Sequence, residues 1–173
     1  MSWMANVSIN DTNVGNLTKL TTNFSINPTT AITINTSALT WPGLSLTNVN
    51  TTSYEKIEVN NTGNVFVARG NGTGAGDGVR VTALNLLGAT DATYKLNSTG
   101  FSIGTNDSST CDKNNKTWMG YNSAVPVYGA GMGTGKNELQ VLFFCLRDIP
   151  ANATAQTYST TGEGLWTISV AGT

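Results

Sequence analysis

The chain has 173 residues, a formal net charge of −1 and only 11% charged residues. Nine Lys and Arg cannot build the basic surface that holds a phosphate backbone, so nucleic acid is excluded as a partner. Histidine is absent, which removes the commonest general base, the commonest metal ligand and every Ser-His or Cys-His nucleophile pair.

Residues 1–14 open the chain with a period-2 segment. Trp3, Ala5, Val7 and Ile9 fall on one face, and Met4, Asn6, Ser8 and Asn10 on the other. Leu17–Phe24 and Ala31–Leu39 read as strands separated by the turn signal Asn27-Pro28, and Trp41-Pro42-Gly43 is the next turn. Leu44–Val49 and Tyr54–Val59 follow. Asn60–Asn64 is expected to be a tight turn leading into Val65–Ala68, with Gly63 supplying a positive φ. Gly70–Gly78 is a glycine-rich loop, Val79–Leu87 a strand or in part a short helical turn, and Ala92–Leu96 and Gly100–Ile103 short strands. Thr105–Thr117 is a polar loop. Trp118–Tyr128 contains Pro126, which confines it to a sheet edge or an extended loop. Glu138–Arg147 holds the most apolar run of the chain and is the best candidate for a core strand. Leu165–Val170 closes the sequence with Trp166, Ile168 and Val170 on one face.

The composition agrees with that pattern. Thr (28 residues) and the aromatics favour strands, while Asn (21) and Gly (19) favour turns. A hydrophobic fraction of 39% is too high for a disordered chain of low charge. The expected fold is therefore all-β: an immunoglobulin-like or jelly-roll β-sandwich over residues 15–173, preceded by an extended N-terminal strand over residues 1–14. No run of 18 apolar residues provides a membrane span. Met1–Asn10 has neither a basic segment nor a continuous apolar run, so no signal peptide is read there and the expectation is a mature, exported form.

Two features point outside the cell. Cys111 and Cys145 are the only cysteines, and a disulfide between them would close a loop worth about 4 kcal/mol in chain entropy. Free buried thiols are the alternative. The N-x-[ST] pattern occurs at Asn6, Asn10, Asn16, Asn23, Asn35, Asn50, Asn60, Asn71, Asn97, Asn106, Asn115 and Asn152. Composition alone would generate about five such sites. N-glycans on these residues would supply the solvation that charge does not, and would shield strand edges from random pairing.

Motifs for chemistry are weak. Gly131–Asn137 lacks the first Gly and the Ser or Thr of a phosphate-binding loop. Gly74–Gly78 carries one Asp, too few oxygens for calcium, and Asp107, Asp112 and Asn114 lack a calcium-loop spacing. The ten carboxylates form no recognisable catalytic pair. No catalytic residue, metal site or cofactor is expected. Trp41, Trp118, Tyr121, Tyr128 and Trp166 could form a sugar-binding platform, or could serve as core and interface residues.

Val59-Asn60-Asn61-Thr62-Gly63-Asn64-Val65 resembles the V-x-N-T-G-N hairpin of archaeal and bacterial surface sandwiches. Ile149–Ser159, followed by Leu165–Val170, resembles their closing hairpin, with Gln156 where Gly usually precedes Thr-Tyr. Over about residues 40–170 the layout resembles archaeal bundling pilins, archaeal thread subunits and TasA-like biofilm fibre proteins. That resemblance implies an extracellular filament subunit that polymerises with identical copies, for adhesion or biofilm formation. The N-terminal segment of one copy would complete the sandwich of the next. Trp3, Ala5, Val7 and Ile9 would be the donor residues; the alternative is that residues 1–14 pair within their own sheet. The competing readings are a surface-layer or adhesin domain, and a carbohydrate-binding sandwich module.

Overall fold

The computed structural model describes residues 2–9, 18–41, 54–69, 78–105, 117–133 and 138–170. It is an all-β sandwich. The first layer is a five-stranded antiparallel sheet in the order β3-β4-β11-β8-β9, built from β3 (Ile32–Ile34), β4 (Tyr54–Asn61), β11 (Glu138–Leu146), β8 (Phe101–Gly104) and β9 (Thr117–Trp118). The second layer comprises two three-stranded sheets. In one, β5 (Val79–Thr82) lies between β10 (Ala124–Pro126) and β13 (Thr167–Val170). In the other, β6 (Leu86–Gly88) lies between β12 (Tyr158–Ser159) and β7 (Lys95–Leu96).

Side-chain alternation builds the core. Ile57 and Val59 of β4, Leu142 and Phe144 of β11, and Phe101 and Ile103 of β8 turn inward. They meet Val79 and Val81 of β5 and Leu96 of β7 in one apolar cluster. Trp166, Ile168 and Val170 pack against the same cluster from the end of the chain. The apolar run predicted as the core strand is β11, which bonds to β4 from Glu138↔Asn61 to Cys145↔Tyr54 and to β8 on its other side. Pro126 sits in β10, an edge strand, where its missing N–H removes no ladder bond from a neighbour.

β1 (Ser2–Ile9) and β2 (Thr18–Ser25) form a two-stranded antiparallel sheet of their own, with eight register pairs from Ser2↔Ser25 to Ile9↔Thr18. The N-terminal strand is thus paired within its own chain. Its partner β2 lies beyond residues 1–14 and joins none of the other sheets among the described residues.

The segment around Gly63 departs from its expected form. β4 runs on to Asn61, and Val65–Ala68 does not fold back on it; Val67 bridges to Met132 instead. Gly63 is not among the positive-φ residues. Its role is space: a Cβ there would overlap the Thr29 carbonyl and lie 2.8 Å from the Ala31 amide nitrogen. Asn61, 1% exposed, is fully engaged. Its Nδ2 donates to Val65 O (2.9 Å) and Gly133 O (2.8 Å), and its Oδ1 accepts from Gly63 N (3.0 Å). Asn64 accepts from Thr29 N through Oδ1 and donates to Asn27 O through Nδ2. The Asn-rich segment is therefore a dock for residues 27–31, not a hairpin.

Candidate assembly groove

A groove of about 1180 Å³ runs between the layers. Half-buried Trp41 and Trp166 wall it against the core rings: Phe101, 0% exposed, lies 5.3 Å from Trp41 and 5.1 Å from Trp166, the latter edge-on, and Phe144, 1% exposed, lies 6.2 Å from Trp166. Trp166 is held by its indole N–H, which donates to Leu84 O at 2.7 Å. Leu165 and Ile34 stand at the groove 78% and 44% exposed. No charged residue is among its described lining.

The groove lies between two sheet edges. β3 ends one side of the five-stranded sheet and β13 ends the sheet it shares with β5, so among the described strands each is paired on one side only. Ile34 of β3 and Ile168 of β13 both line the groove. Apolar side chains between two such edges are the arrangement that takes up an added strand or sheet: backbone groups at the rim, hydrophobic pockets below.

β4 and β11 are antiparallel, so Asn61 and Glu138 mark one end of the layer, and Tyr54 and Cys145 the other. Phe144, Leu146 and Phe101 line the groove toward the second end, and Ile57 and Ile34, the latter opposite Val59, carry its lining back toward the first. The chain enters at the first end. There Thr62 N and Gly63 N donate to Ala31 O, Asn64 N donates to Thr29 O, and the Asn64 side chain holds Asn27 and Thr29. The β1–β2 hairpin joins the sandwich through this pinned entry.

The closing segment frames the groove rim. Tyr158 Oη donates to Thr154 O and accepts from Thr154 N, both at 3.0 Å. Gln156, the departure from the resembled motif, has a task here. Its Oε1 accepts from the amides of Thr90 and Asp91, each at 3.0 Å, and its Nε2 donates to Thr154 Oγ1 at 2.8 Å. It ties the rim to the turn after β6.

The other predicted residues scatter. Cys145 is disulfide-bonded and no described cysteine is free; Cys111, the only other cysteine of the chain, lies outside the described residues. Asn97 and Asn152 are exposed, and no side-chain cap ties Asn97 to the turn it precedes. Asn35 is exposed, with Oδ1 accepting from Glu58 N at 2.8 Å. Asn60 sits within β4, its Oδ1 buried without a partner. Asn6 and Asn23 belong to β1 and β2. Asn10, Asn16, Asn50, Asn71, Asn106 and Asn115 lie outside the described residues, as do Asp107, Asp112, Asn114 and most of Gly74–Gly78.

The five aromatics divide. Trp41 and Trp166 belong to the groove wall, whereas Trp118, Tyr121 and Tyr128 are exposed, Trp118 beneath the Arg147 guanidinium at 4.9 Å. Among the described residues, no three acidic, Cys or His side chains gather as a metal site would require, and no helix is long and apolar enough to cross a membrane. Comparison with protein-family models, curated proteins and solved structures found no match to this chain.

Proposed function

We propose that this protein is the structural subunit of a glycosylated extracellular filament, polymerising head-to-tail with identical copies by strand addition. One observation carries the reading: a groove with no charged residue in its described lining lies between two sheet edges, while the N-terminal strand pairs with β2 in a two-stranded sheet separate from those of the sandwich. Each large apolar side chain moved from water into such a groove contributes about 1.5–3 kcal/mol. Because the N-terminal segment and the groove are different surfaces, the contact is heterologous. It does not close on itself, and it propagates as a fibre.

The twelve sequons fit the same setting. A polymer surface with few charges needs another source of hydration, and N-glycans provide it.

Deletion of residues 1–10 tests the reading. The full chain is expected to form thin, uniform filaments by negative-stain electron microscopy, and the deletion variant to remain monomeric by light scattering. Filaments of normal appearance from the deletion variant would refute strand addition by the N-terminus. A flat lattice from the full chain would favour a surface-layer role with lateral contacts.

A further inference from the structure

The sequons within the described sandwich differ in what the fold does with them. Asn35-Thr36-Ser37 follows β3, Asn97-Ser98-Thr99 follows β7, and Asn152-Ala153-Thr154 lies in the segment before β12. In each, both the Asn and the hydroxyl residue two places on are exposed, Thr154 even while its Oγ1 accepts from Gln156 Nε2. Two of these segments are bent by a backbone bond: Gly100 N donates to Asn97 O at 2.9 Å, and Ala153 N donates to Pro150 O at 2.8 Å.

Asn60-Asn61-Thr62 is built differently. Asn60 lies inside β4, opposite Thr33 of β3 on one side and Leu139 of β11 on the other. It is only partly exposed, and its Oδ1 is buried without a partner. The middle residue, Asn61, is 1% exposed; it donates to Val65 O and Gly133 O and accepts from Gly63 N.

We propose that the fold sorts its sequons: Asn35, Asn97 and Asn152 carry N-glycans, and Asn60 does not. The proposal rests on the glycosylated-filament reading and specifies where its sugars stand. The transfer joins Nδ2 to the anomeric carbon of a sugar carried on a lipid phosphate. The bond from that carbon to the phosphate oxygen breaks, its electron pair leaves with the lipid phosphate, and Nδ2 gives up one proton to solvent. A transferase must hold the side-chain amide and the hydroxyl two residues on at once, which requires a segment free to leave the surface. The three exposed sequons meet that requirement. At Asn60 it would draw β4 out of a ladder paired on both sides and strip Asn61 of its bonds, leaving buried polar groups unpaired.

Asn35 shows why a committed carbonyl is no obstacle. Its Oδ1 accepts from Glu58 N at 2.8 Å, and Asn35 N donates to Glu58 O at 3.1 Å. The sugar bonds to Nδ2, the product is still an amide, and Oδ1 remains an acceptor. A glycan on Asn35 is thus carried by a side chain already fixed to β4. It stands beside the end of the edge strand β3, where its bulk hinders pairing by another chain.

The test alters the hydroxyl and leaves each Asn in place. Ser37, Thr99 and Thr62 are exposed, so their replacement by Ala spares the core. The full-length variants are made in the cells the protein comes from, weighed intact and mapped by glycopeptide. Ser37→Ala and Thr99→Ala are each expected to lose the mass of one glycan, and Thr62→Ala to carry the same glycans as the wild type. The wild-type map is expected to show sugar on Asn152 as well. A peptide spanning residues 57–66, given to membranes of the same cells with their lipid-linked sugar, is expected to be modified at Asn60, since outside the sheet nothing holds that sequon. Loss of a glycan from Thr62→Ala, or a bare Asn35, Asn97 or Asn152 in the wild type, would overturn the sorting. An unmodified peptide would overturn it too, because the sequence and not the fold would then silence Asn60. The filament reading fails separately. The expected glycan map on a chain that forms no filaments keeps this proposal and removes the polymer. Filaments of a chain with no glycan remove this proposal and leave strand addition standing.

Discussion

Gly63 has a single task that no other residue can perform. The Thr29 carbonyl and the Ala31 amide occupy the space a Cβ would need, and these backbone groups cannot swing aside as a flexible side chain would. Gly63→Ala is therefore expected to destabilise the fold by about 1–3 kcal/mol, the range for forced overpacking, measured by chemical denaturation of the chain lacking residues 1–10 so that assembly does not interfere. The same substitution should loosen residues 27–31. Their amide exchange would accelerate more than that of β11, whose ladder lies on the far side of β4 from β3. Uniform acceleration across the sandwich would show that the entry segment is not held locally by this dock.

At the scale of elements, the outer face of β8 and β11 poses the sharper question. Phe101 and Phe144 turn inward, so alternation sends Ser102 and Cys145 outward, yet these are 0% and 1% exposed. Something covers them, and the disulfide of Cys145 brings a second stretch of chain to that spot. Cys145→Ser is expected to cost about 4 kcal/mol, which for a chain of this size lowers Tm by roughly 8–16 °C. Calorimetry on the chain lacking residues 1–10 provides the measurement. A shift below about 3 °C would show that the bridge adds little to the sheet contacts already there. The strands themselves were legible where their information is local: β11 from its apolar run, β13 from its alternation, and the edge position of β10 from Pro126. The Asn60–Asn64 segment was misread because its partners Thr29, Ala31 and Gly133 are distant in sequence, and its composition mimics a tight turn. The groove was not legible at all, since it arises from which strands lack a neighbour. That β2 is the partner of β1 was not legible, because each strand alternates acceptably alone and only their register joins them.

The whole molecule has no histidine, and the described lining of its candidate contact carries no charge. With no histidine, only the α-amino group ordinarily changes charge between pH 5 and 8. Asp91 is held below the usual carboxylate range by hydrogen bonds from the Thr93 amide and hydroxyl. A lowered pKa contributes stability that is present above the unfolded value and lost as pH falls through the folded one. Its effect is confined to acid, below about pH 4, and is small because the group is fully exposed. Polymer yield from the unglycosylated chain is therefore expected to be flat from pH 5 to pH 8. It should also change less than twofold between about 50 and 500 mM NaCl, since screening acts on charge pairs and not on apolar burial. Sulfate should promote assembly by strengthening effective burial. Sedimentation of filaments across these conditions decides between two kinds of polymer. A steep loss of polymer with NaCl would mean that charged lateral faces hold the copies together, as in a surface lattice. Indifference to NaCl together with a gain in sulfate is the behaviour of copies held together by apolar burial.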